Sequence, residues 1–388
     1  MASSSKLDRF SDFVITPAKT TEQIGKTWES SYNEWGIDIM DLDTYRKREA
    51  LLAAQKFTSD NITVWLFGPK SELEGKEGSL DFVSSCETFK RNVLIKRAGS
   101  NKTESVDCYS IATVFCPHHN RGKGYATGMM AALYEKLKSL GAVSTLYSDV
   151  GEVFYSRFGW ENHPLYVTVV PVTHFSDAHT TQNENSVSLI DTPIAKNILE
   201  ADCNTLRHDL ENNKFGSGSE SDGYTRIITM PHYPQIEWRW IRDRFEGENC
   251  LGIKEFSSVY GAYINSDNEG IEFKKRCEAA TISESNSCPS FLIWTHRYRE
   301  DTLMVLRARF NKPKDVKPLI KAAVDEAKKN NLPKVTLWNV ESSLTGIFEN
   351  ELGAKRTESK SSLPGMAVFE RGENEKVEWI ANQNFAWV

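Results

Sequence analysis

The amino-acid sequence predicts an α/β fold built from two related units, and three observations support this prediction. At 388 residues the chain is long enough for two, at most three, domains of about 150 residues. Segments typical of strands and of helices alternate along it. The order strand, helix, short strand, short helix occurs at 108–160 and again at 304–354. We therefore interpret the chain as a tandem duplication whose copies have diverged.

Composition argues against several classes of protein. Lys and Arg number 47 against 53 Asp and Glu, and this net charge of −6 disfavours a dedicated nucleic-acid binder. No apolar run approaches the ~20 residues of a membrane helix, and the start MASSSKLDRF lacks a signal-peptide core. The seven scattered cysteines form no CxxC pair, which disfavours a disulfide framework or a zinc site. We expect a cytoplasmic protein without metal, membrane or nucleic-acid partners.

The first unit is predicted to span residues 1–175. Its strands are expected at 12–18, 62–69, 108–116 and 144–150, with one or two more within 81–97 and a last one ending near 175. Its helices are expected at 24–36, 41–55, from Gly122 or Gly124 to Leu140, and within 152–160. Gly141 is expected to terminate the third of these helices.

A polar connecting segment is predicted at 176–223, ending in the linker-like GSGSESDG, and the second unit at 224–388. In that unit strands are expected at 224–230, 253–264, 334–340 and 365–370, with a hairpin at 291–310. Helices are expected at 234–245, 315–330 and 343–352.

The turn RGKGYA, residues 121–126, lies between the strongest predicted strand and a predicted helix. Glycines at 122 and 124 leave backbone N–H groups unshielded, and the helix adds the positive end of its dipole. Such a turn binds phosphate or pyrophosphate, although a basic surface turn before a helix shows the same pattern. Arg121 and Lys123 add positive charge. The P-loop and dinucleotide-binding glycine patterns do not fit.

The residues around this turn resemble the GNAT superfamily of acetyl-CoA-dependent N-acetyltransferases. Its signature is Gln or Arg, two residues, Gly, one residue, Gly or Ala, and it is matched by Arg121, Gly124 and Ala126. FYSRFGW at 154–160 resembles the aromatic, glycine-containing ending of the superfamily's fourth helix. The two-part length, YSDVGEVFYSRFGW and the ending NFAWV resemble the fungal lysine N-epsilon-acetyltransferase family of lysine catabolism.

This resemblance implies a GNAT fold, a mixed and mostly antiparallel sheet flanked by helices, followed by a second, degenerate GNAT-like domain. It places the pantetheine of acetyl-CoA between the strand with Val114 and Cys116 and the strand at 144–150. The diphosphate is then expected on Arg121, Gly122, Lys123, Gly124, Tyr125 and Ala126. Tyr155 is expected to protonate the departing thiolate, since a phenol of pKa ~10 can serve a thiol of pKa ~8.5.

The proton acceptor for the amine is left open. A lysine side chain is an ammonium at neutral pH because its pKa is ~10.4. Candidates are Glu152, Asp149, the C-terminal carboxylate of Val388 and ordered water. The apolar C-terminal residues 385–388 are expected to pack against the protein. They would serve either a structural role or catalysis through the terminal carboxylate. The N–H of Cys116 is the simplest donor to the oxyanion.

The second unit departs from the pattern at both functional positions. Residues 309–316 contain no glycine, and Pro313 has no N–H to offer a diphosphate. If Gly353 corresponds to Gly159, Glu349 takes the place of Tyr155. We therefore predict one active site per chain, in the first unit.

The expected function is direct acetyl transfer from acetyl-CoA to a small amine, most simply the ε-amine of free L-lysine. One alternative is acetylation of a peptide or a polyamine. Another, from a different class, is a non-catalytic module that binds acyl-CoA or a protein. An intact turn together with Tyr155 favours catalysis.

Overall fold

The computed structural model describes residues 8–175, 186–215, 223–279, 287–372 and 375–388. Within them the strands are β1 Phe13–Pro17, β2 Ile62–Pro69, β3 Ser84–Lys96, β4 Thr103–Phe115, β5 Val143–Ser148, β6 Glu161–Asn162, β7 Tyr166–Pro171, β8 Val187–Ile190, β9 Tyr224–Thr229, β10 Gly261–Ile264, β11 Phe291–Arg297, β12 Thr302–Arg309, β13 Lys334–Trp338, β14 Lys355–Glu358, β15 Leu363–Val368 and β16 Lys376–Ile380. The α-helices are α1 Thr21–Trp35, α2 Leu42–Ala53, α3 Lys56–Ser59, α4 Lys70–Leu73, α5 Tyr125–Lys138, α6 Val153–Ser156, α7 Thr192–Glu211, α8 Tyr233–Leu251, α9 Asn268–Ala279, α10 Val316–Lys329 and α11 Thr345–Glu351.

The first sheet has the strand order β1-β2-β3-β4-β5-β15-β6. Strand β3 is long enough to pair with β2 near its start and with β9 near its end, and β9 pairs with β16. Only the β4–β5 and β9–β16 pairs are parallel among these ladders. The predicted mixed, mostly antiparallel sheet is confirmed.

Helices α1 and α2, which pack beside this sheet, begin at side-chain caps that the sequence could supply. The Thr20 hydroxyl accepts a hydrogen bond from the Gln23 N–H at 3.2 Å, and the Gln23 side chain accepts one from the Thr20 N–H. The Asp41 carboxylate accepts from the Thr44 N–H at 2.7 Å. These caps satisfy N–H groups that no helical carbonyl can reach.

The second sheet has the order β14-β7-β13-β12-β11-β10-β8 and repeats the plan of the first. Its β11–β12 hairpin corresponds to β3–β4, and β12 and β13 are parallel, as are β4 and β5. Helices α10 and α11 follow β12 and β13 as α5 and α6 follow β4 and β5. The two GNAT-like halves are therefore visible in the topology.

The two halves exchange their last strands. Strand β7 leaves the first half and pairs with β13, whereas β15 leaves the second half and pairs with β5. The predicted boundary at residue 175 consequently does not separate the two sheets. The largest buried cluster also contains residues of both halves, among them Val143, Leu165, Ile293 and Met366. The halves are thus held together by shared sheets and a shared core.

The prediction of a polar connecting segment at 176–223 is wrong where the structure describes it, because β8 and the twenty-residue α7 lie there. Asp191 caps α7, and its inward face carries buried apolar residues such as Ile198 and Leu206. Asp202, fully buried on that face, binds the guanidinium groups of Arg307 and Arg309 at 2.7 Å. The polar average of the segment concealed this narrow apolar stripe. Residues 216–222, which include most of the predicted linker, lie outside the described residues.

Other differences are local. The predicted strand at 253–264 is reduced to Gly261–Ile264, and α9, β14 and β16 were not predicted. Gly141 does not terminate α5 in the left-handed conformation; a Cβ there would lie 2.9 Å from the Asp107 carbonyl, so close packing explains this glycine. No helix within the described ranges is long and apolar enough to cross a bilayer.

Candidate active site

The candidate site is the gap that opens between the parallel strands β4 and β5. The two strands pair from Cys108 with Val143 to Ile111 with Leu146. Beyond Ile111, β4 pairs with β3 alone among the described strands, and the register of that pair shifts near Thr113. Thr113 has φ +49°, a conformation that β-branched residues rarely adopt. This irregularity marks the point at which β4 bends away from β5.

The glycine turn lies at the wide end of the gap. Gly122 and Gly124 have φ +77° and +81°, and Gly124 is the N-cap of α5 without a side-chain hydrogen bond. A side chain at either position would be strained, which explains why glycine is needed. The first N–H groups of α5 have no carbonyl partner within the helix. The turn and the fourteen-residue helix therefore form an anion-binding end.

The two basic residues of the turn are not equivalent. The Arg121 guanidinium donates to the Cys116 carbonyl at 3.0 Å and to Glu34 on α1 at 2.7 Å. Arg121 is thus held in place by α1 and by the end of β4. Lys123 is exposed. Both could contact a diphosphate, Lys123 without breaking an interaction and Arg121 by exchanging Glu34 for phosphate.

The remaining predicted cofactor residues line the same region. Val114 and the Tyr125 ring pack against the cluster that contains Tyr155, and the Tyr125 ring stacks on Phe13 at 5.6 Å. Cys116 follows the end of β4, where burial raises the pKa of its thiol, which lies near the Ala126 N–H. The structure therefore brings the whole predicted set, from Val114 to Ala126, around one end of the gap.

Tyr155 lies on α6, at the other side of the gap. It is 9% exposed and packs in the cluster with Cys86 of β3 and Leu146 of β5. Burial, with a smaller contribution from the neighbouring thiol of Cys86, raises the pKa of Tyr155 above its usual range. Its hydroxyl makes no hydrogen bond within the part of the chain that the structure describes. Tyr155 is consequently a protonated phenol with its donor uncommitted.

The structure separates the carboxylates that sequence reasoning offered as proton acceptors. Glu152 is exposed ahead of α6, and exposed Asp149 accepts hydrogen bonds from the N–H and hydroxyl of Ser362. Val388 packs against the cluster of Phe89 and Trp238, on the other side of β3 from Cys86. Asp149 is therefore engaged in holding the β15 end.

Sequence reasoning missed Glu87, an acidic residue in the middle of β3. Its carboxylate accepts a hydrogen bond from the Thr113 hydroxyl at 2.7 Å, at the irregularity of β4. The neighbouring residues Cys86 and Thr88 are both buried. The surrounding sequence SSCETFKR is itself polar, so no local signal distinguishes this glutamate from an exposed one.

The apolar ending is tucked against β3 and α8. The Arg91 guanidinium donates to the Ala386 carbonyl at 2.7 Å, and the Gln235 amide donates to the Phe385 carbonyl. The Trp387 ring lies under the guanidinium groups of Arg239 and Arg242, at 4.6 and 5.1 Å. The ending thus connects the two halves near the gap.

The corresponding gap of the second half is filled by the chain itself. The side chain of Gln383 accepts from the Ala308 N–H at 2.8 Å and donates to the Ala308 carbonyl at 3.2 Å, as an added strand would. It lines a cavity between β12 and β13. None of residues 309–316 has a positive φ, and Glu349 is exposed. At the described positions 309–316 and 349, this half has neither the anion-binding turn nor a buried proton donor.

Comparison with known proteins identifies the family. The sequence profile described as "LYC1 GNAT-like C-terminal domain" matches residues 171–388. A lysine acetyltransferase of Yarrowia lipolytica is 24% identical, with 94% of this chain and 97% of the relative aligned. An uncharacterized protein of Saccharomyces cerevisiae is 24% identical over 90% of this chain and 91% of its own length.

Solved structures show the same fold at low identity. A probable N-acyltransferase of Enterococcus faecalis has a TM-score of 0.56 and 11% identity, covering 92% of this chain and 72% of its own. A GCN5-related N-acetyltransferase of Anabaena variabilis has a TM-score of 0.53 and 14% identity over the same shares. The chain therefore belongs to the GNAT-type N-acetyltransferases with a LYC1 GNAT-like C-terminal domain.

Proposed function

We propose that the protein transfers the acetyl group of acetyl-CoA directly to the ε-amine of free L-lysine, at one site in the first half. The observation that carries this proposal is the position of the glycine turn and of Tyr155 at one gap between β4 and β5. The relative that is named a lysine acetyltransferase, aligned over nearly the whole chain, supports lysine as the acceptor. The proposal also assigns the protein to lysine breakdown.

In this proposal the turn and the adjoining strand hold the cofactor. The N–H groups of Arg121–Ala126 and the end of α5 bind the diphosphate, with Lys123 beside them. The backbone of Val114–Cys116, which pairs with no described strand on the β5 side, pairs with the amides of pantetheine. The N–H of Cys116 is the proposed donor to the carbonyl oxygen under attack. When bound, acetyl-CoA supplies the thioester.

Tyr155 completes the transfer. The amine nitrogen forms a bond to the acetyl carbon, the carbon–sulfur bond breaks, and the sulfur receives the phenolic proton of Tyr155. Because burial raises the pKa of Tyr155, the proton is present at neutral pH. The site excludes water by the apolar cluster around the ring, and so favours the amine over hydrolysis.

The test is to mix purified protein with acetyl-CoA and a panel of amines comprising L-lysine, polyamines and basic peptides. Thiol release shows turnover, and mass detection locates the acetyl group. We expect release that depends on lysine and a product acetylated on the ε-nitrogen. Equal or better transfer to polyamines or peptides would refute free lysine as the acceptor. Binding without transfer to any amine would refute catalysis.

A further inference from the structure

We propose that the acceptor ammonium is bound and deprotonated by Glu87, with Glu49 beside it, on the sheet face opposite Tyr155. This inference rests on the proposed function and assigns to it the proton acceptor, which neither the sequence nor the comparisons identify. The ligand class it implies is a primary ammonium cation.

The position of Glu87 is the first argument. Glu87 pairs with Ala112, one step beyond the last rung at which β4 and β5 are joined. Strand β4 lies between β3 and the gap, and the Thr113 hydrogen bond holds the Glu87 carboxylate against β4 where the gap opens. Thr113, which holds it through a 2.7 Å hydrogen bond, has the strained positive φ. Strain of this kind persists where the surrounding structure imposes a particular geometry.

The two faces of the sheet are the second argument. Adjacent residues of a strand point to opposite faces of the sheet, so the side chains of Cys86 and Glu87 lie on opposite faces. Tyr155 packs with Cys86 on the α5 side, whereas Glu87 interacts electrostatically with Tyr45 and Glu49 of α2. The proton donor and the proposed acceptor consequently flank the gap from opposite faces. An amine and a thioester that meet in the gap would each have the group they need.

The charges around Glu87 are the third argument. Burial, as the larger effect, and repulsion by Glu49 raise the pKa of Glu87 to about 7. The hydrogen bond from Thr113 acts in the other direction and lowers this pKa. The other titratable groups nearby are Tyr45, with a pKa raised by burial to about 12, the buried thiol of Cys86, and the C-terminal carboxylate of Val388, which packs against the same cluster as Ala112. A carboxylate with this pKa can accept a proton near neutral pH.

The second half borders this side of the gap. Arg48 of α2 donates to Glu49 at 2.6 and 2.9 Å and to Glu246 of α8 at 3.0 Å. Glu246 also binds Arg299 at 3.0 Å and lies 3.4 Å from Arg242. Arg48 neutralises Glu49 only in part, since it is shared with Glu246. The second half therefore contributes side chains that border the acceptor side of the gap, although we predict no active site within that half.

The proton balance is complete. The ammonium gives one proton to the Glu87 carboxylate and the neutral amine attacks the acetyl carbon. As the carbon–sulfur bond breaks and the amide forms, the nitrogen releases its second proton to solvent. Tyr155 gives its proton to the sulfur. Exchange with solvent returns Glu87 and Tyr155 to their starting states.

The experiment measures transfer to L-lysine between pH 5.5 and 9, with acetyl-CoA affinity by calorimetry, in the wild type and five variants. In the wild type the rate should rise with pH, with a midpoint near the pKa of Glu87, about 7. Glu87→Gln, which can still accept from Thr113, should lower kcat/KM at least 100-fold, remove this rise and leave acetyl-CoA affinity unchanged.

Two variants test the electrostatics and do not depend on removing Glu87. Glu49→Gln removes a charge that raises the pKa of Glu87, so the midpoint should move to lower pH. Thr113→Ala removes a hydrogen bond that lowers it, so the midpoint should move to higher pH, and Thr113→Ser should restore it. If Glu49 and Thr113 had only structural roles, their variants would not shift the midpoint of the pH–rate profile in opposite directions.

The outcomes are distinguishable. A Glu87→Gln enzyme with wild-type rate and pH profile, or midpoints that do not move, would overturn the role of Glu87 while leaving the proposed function intact. Acetyl-CoA binding by the wild type without transfer to any amine would overturn the proposed function itself. Glu135→Gln, an exposed carboxylate on α5, is the matched control and should change neither rate nor profile.

Discussion

The gaps of the two halves lie between corresponding strands, but the first is left open and the second is occupied by a side chain of the same chain. In the first half, the backbone beyond Ile111 pairs with β3 alone among the described strands, and two left-handed glycines precede α5. In the second half, Gln383 of the same chain pairs with both polar groups of Ala308. One copy of the fold thus keeps the features of a cofactor site, and the other closes its gap with its own chain.

This difference shows what a duplicated fold preserves and what it loses. The ladders, the helix order and the strand exchange persist in both halves, because each half completes the other's sheet. The glycine turn and the buried phenol persist only in the first. Packing therefore constrains both copies, whereas the proposed chemistry constrains one.

The largest expected effect comes from blocking the turn. Gly124→Val places a β-branched residue at φ +81° and shields the N–H groups that would contact a diphosphate. We expect acetyl-CoA affinity to fall by about 100-fold, equivalent to roughly 2.7 kcal/mol. Calorimetry measures it. Gly252→Val, at φ +69° on the end of α8, is the matched control and should bind normally. Unchanged affinity for Gly124→Val would disprove the placement of the diphosphate.

A smaller effect is expected from the proton donor. Tyr155→Phe keeps the ring packing but removes the phenolic proton, so turnover should fall ten-fold or more, about 1.4 kcal/mol, with acetyl-CoA affinity nearly unchanged. Steady-state kinetics and calorimetry separate the two quantities. Tyr134→Phe removes a hydroxyl from a tyrosine packed against the same buried cluster and serves as the control. Equal turnover in both variants would exclude Tyr155 from the mechanism.

The smallest expected effect concerns the second half. Gln383→Ala leaves the N–H and carbonyl of Ala308 without their partner, and should lower the free energy of unfolding by about 1–2 kcal/mol. The number of acetyl-CoA sites and the rate should not change. Denaturant unfolding and calorimetry provide the readouts, with Glu341→Ala at the exposed rim of the same cavity as control. A second acetyl-CoA site exposed by this variant would contradict the comparison.

Much of the fold could be predicted because its signals are local. The strand at 62–69, the strand at 108–116 and the turn at 121–126 depend on neighbouring residues. The strand exchange could not be predicted, since nothing local distinguishes pairing of β7 with β13 from pairing with β5. Helix α7 was hidden by polar composition although Ile198 and Leu206 mark its buried side.

The candidate site also contains residues that the sequence identified and one that it did not. The glycine turn and Tyr155 are in contiguous motifs and were found from the sequence. Glu87 lies far from both along the chain, and its raised pKa results from burial and from Glu49 on another element. Such a group becomes visible only when the strands are assembled.

The central claim is that the gap of the first half transfers acetyl groups to free lysine. The most direct measurement follows CoA thiol release from acetyl-CoA in the presence of L-lysine, with mass detection of the product, for the wild type and Tyr155→Phe side by side. We expect ε-acetyl-lysine from the wild type and at least ten-fold less of this product from Tyr155→Phe. Equal product from both, or acetyl-CoA binding without product from the wild type, would contradict the central claim.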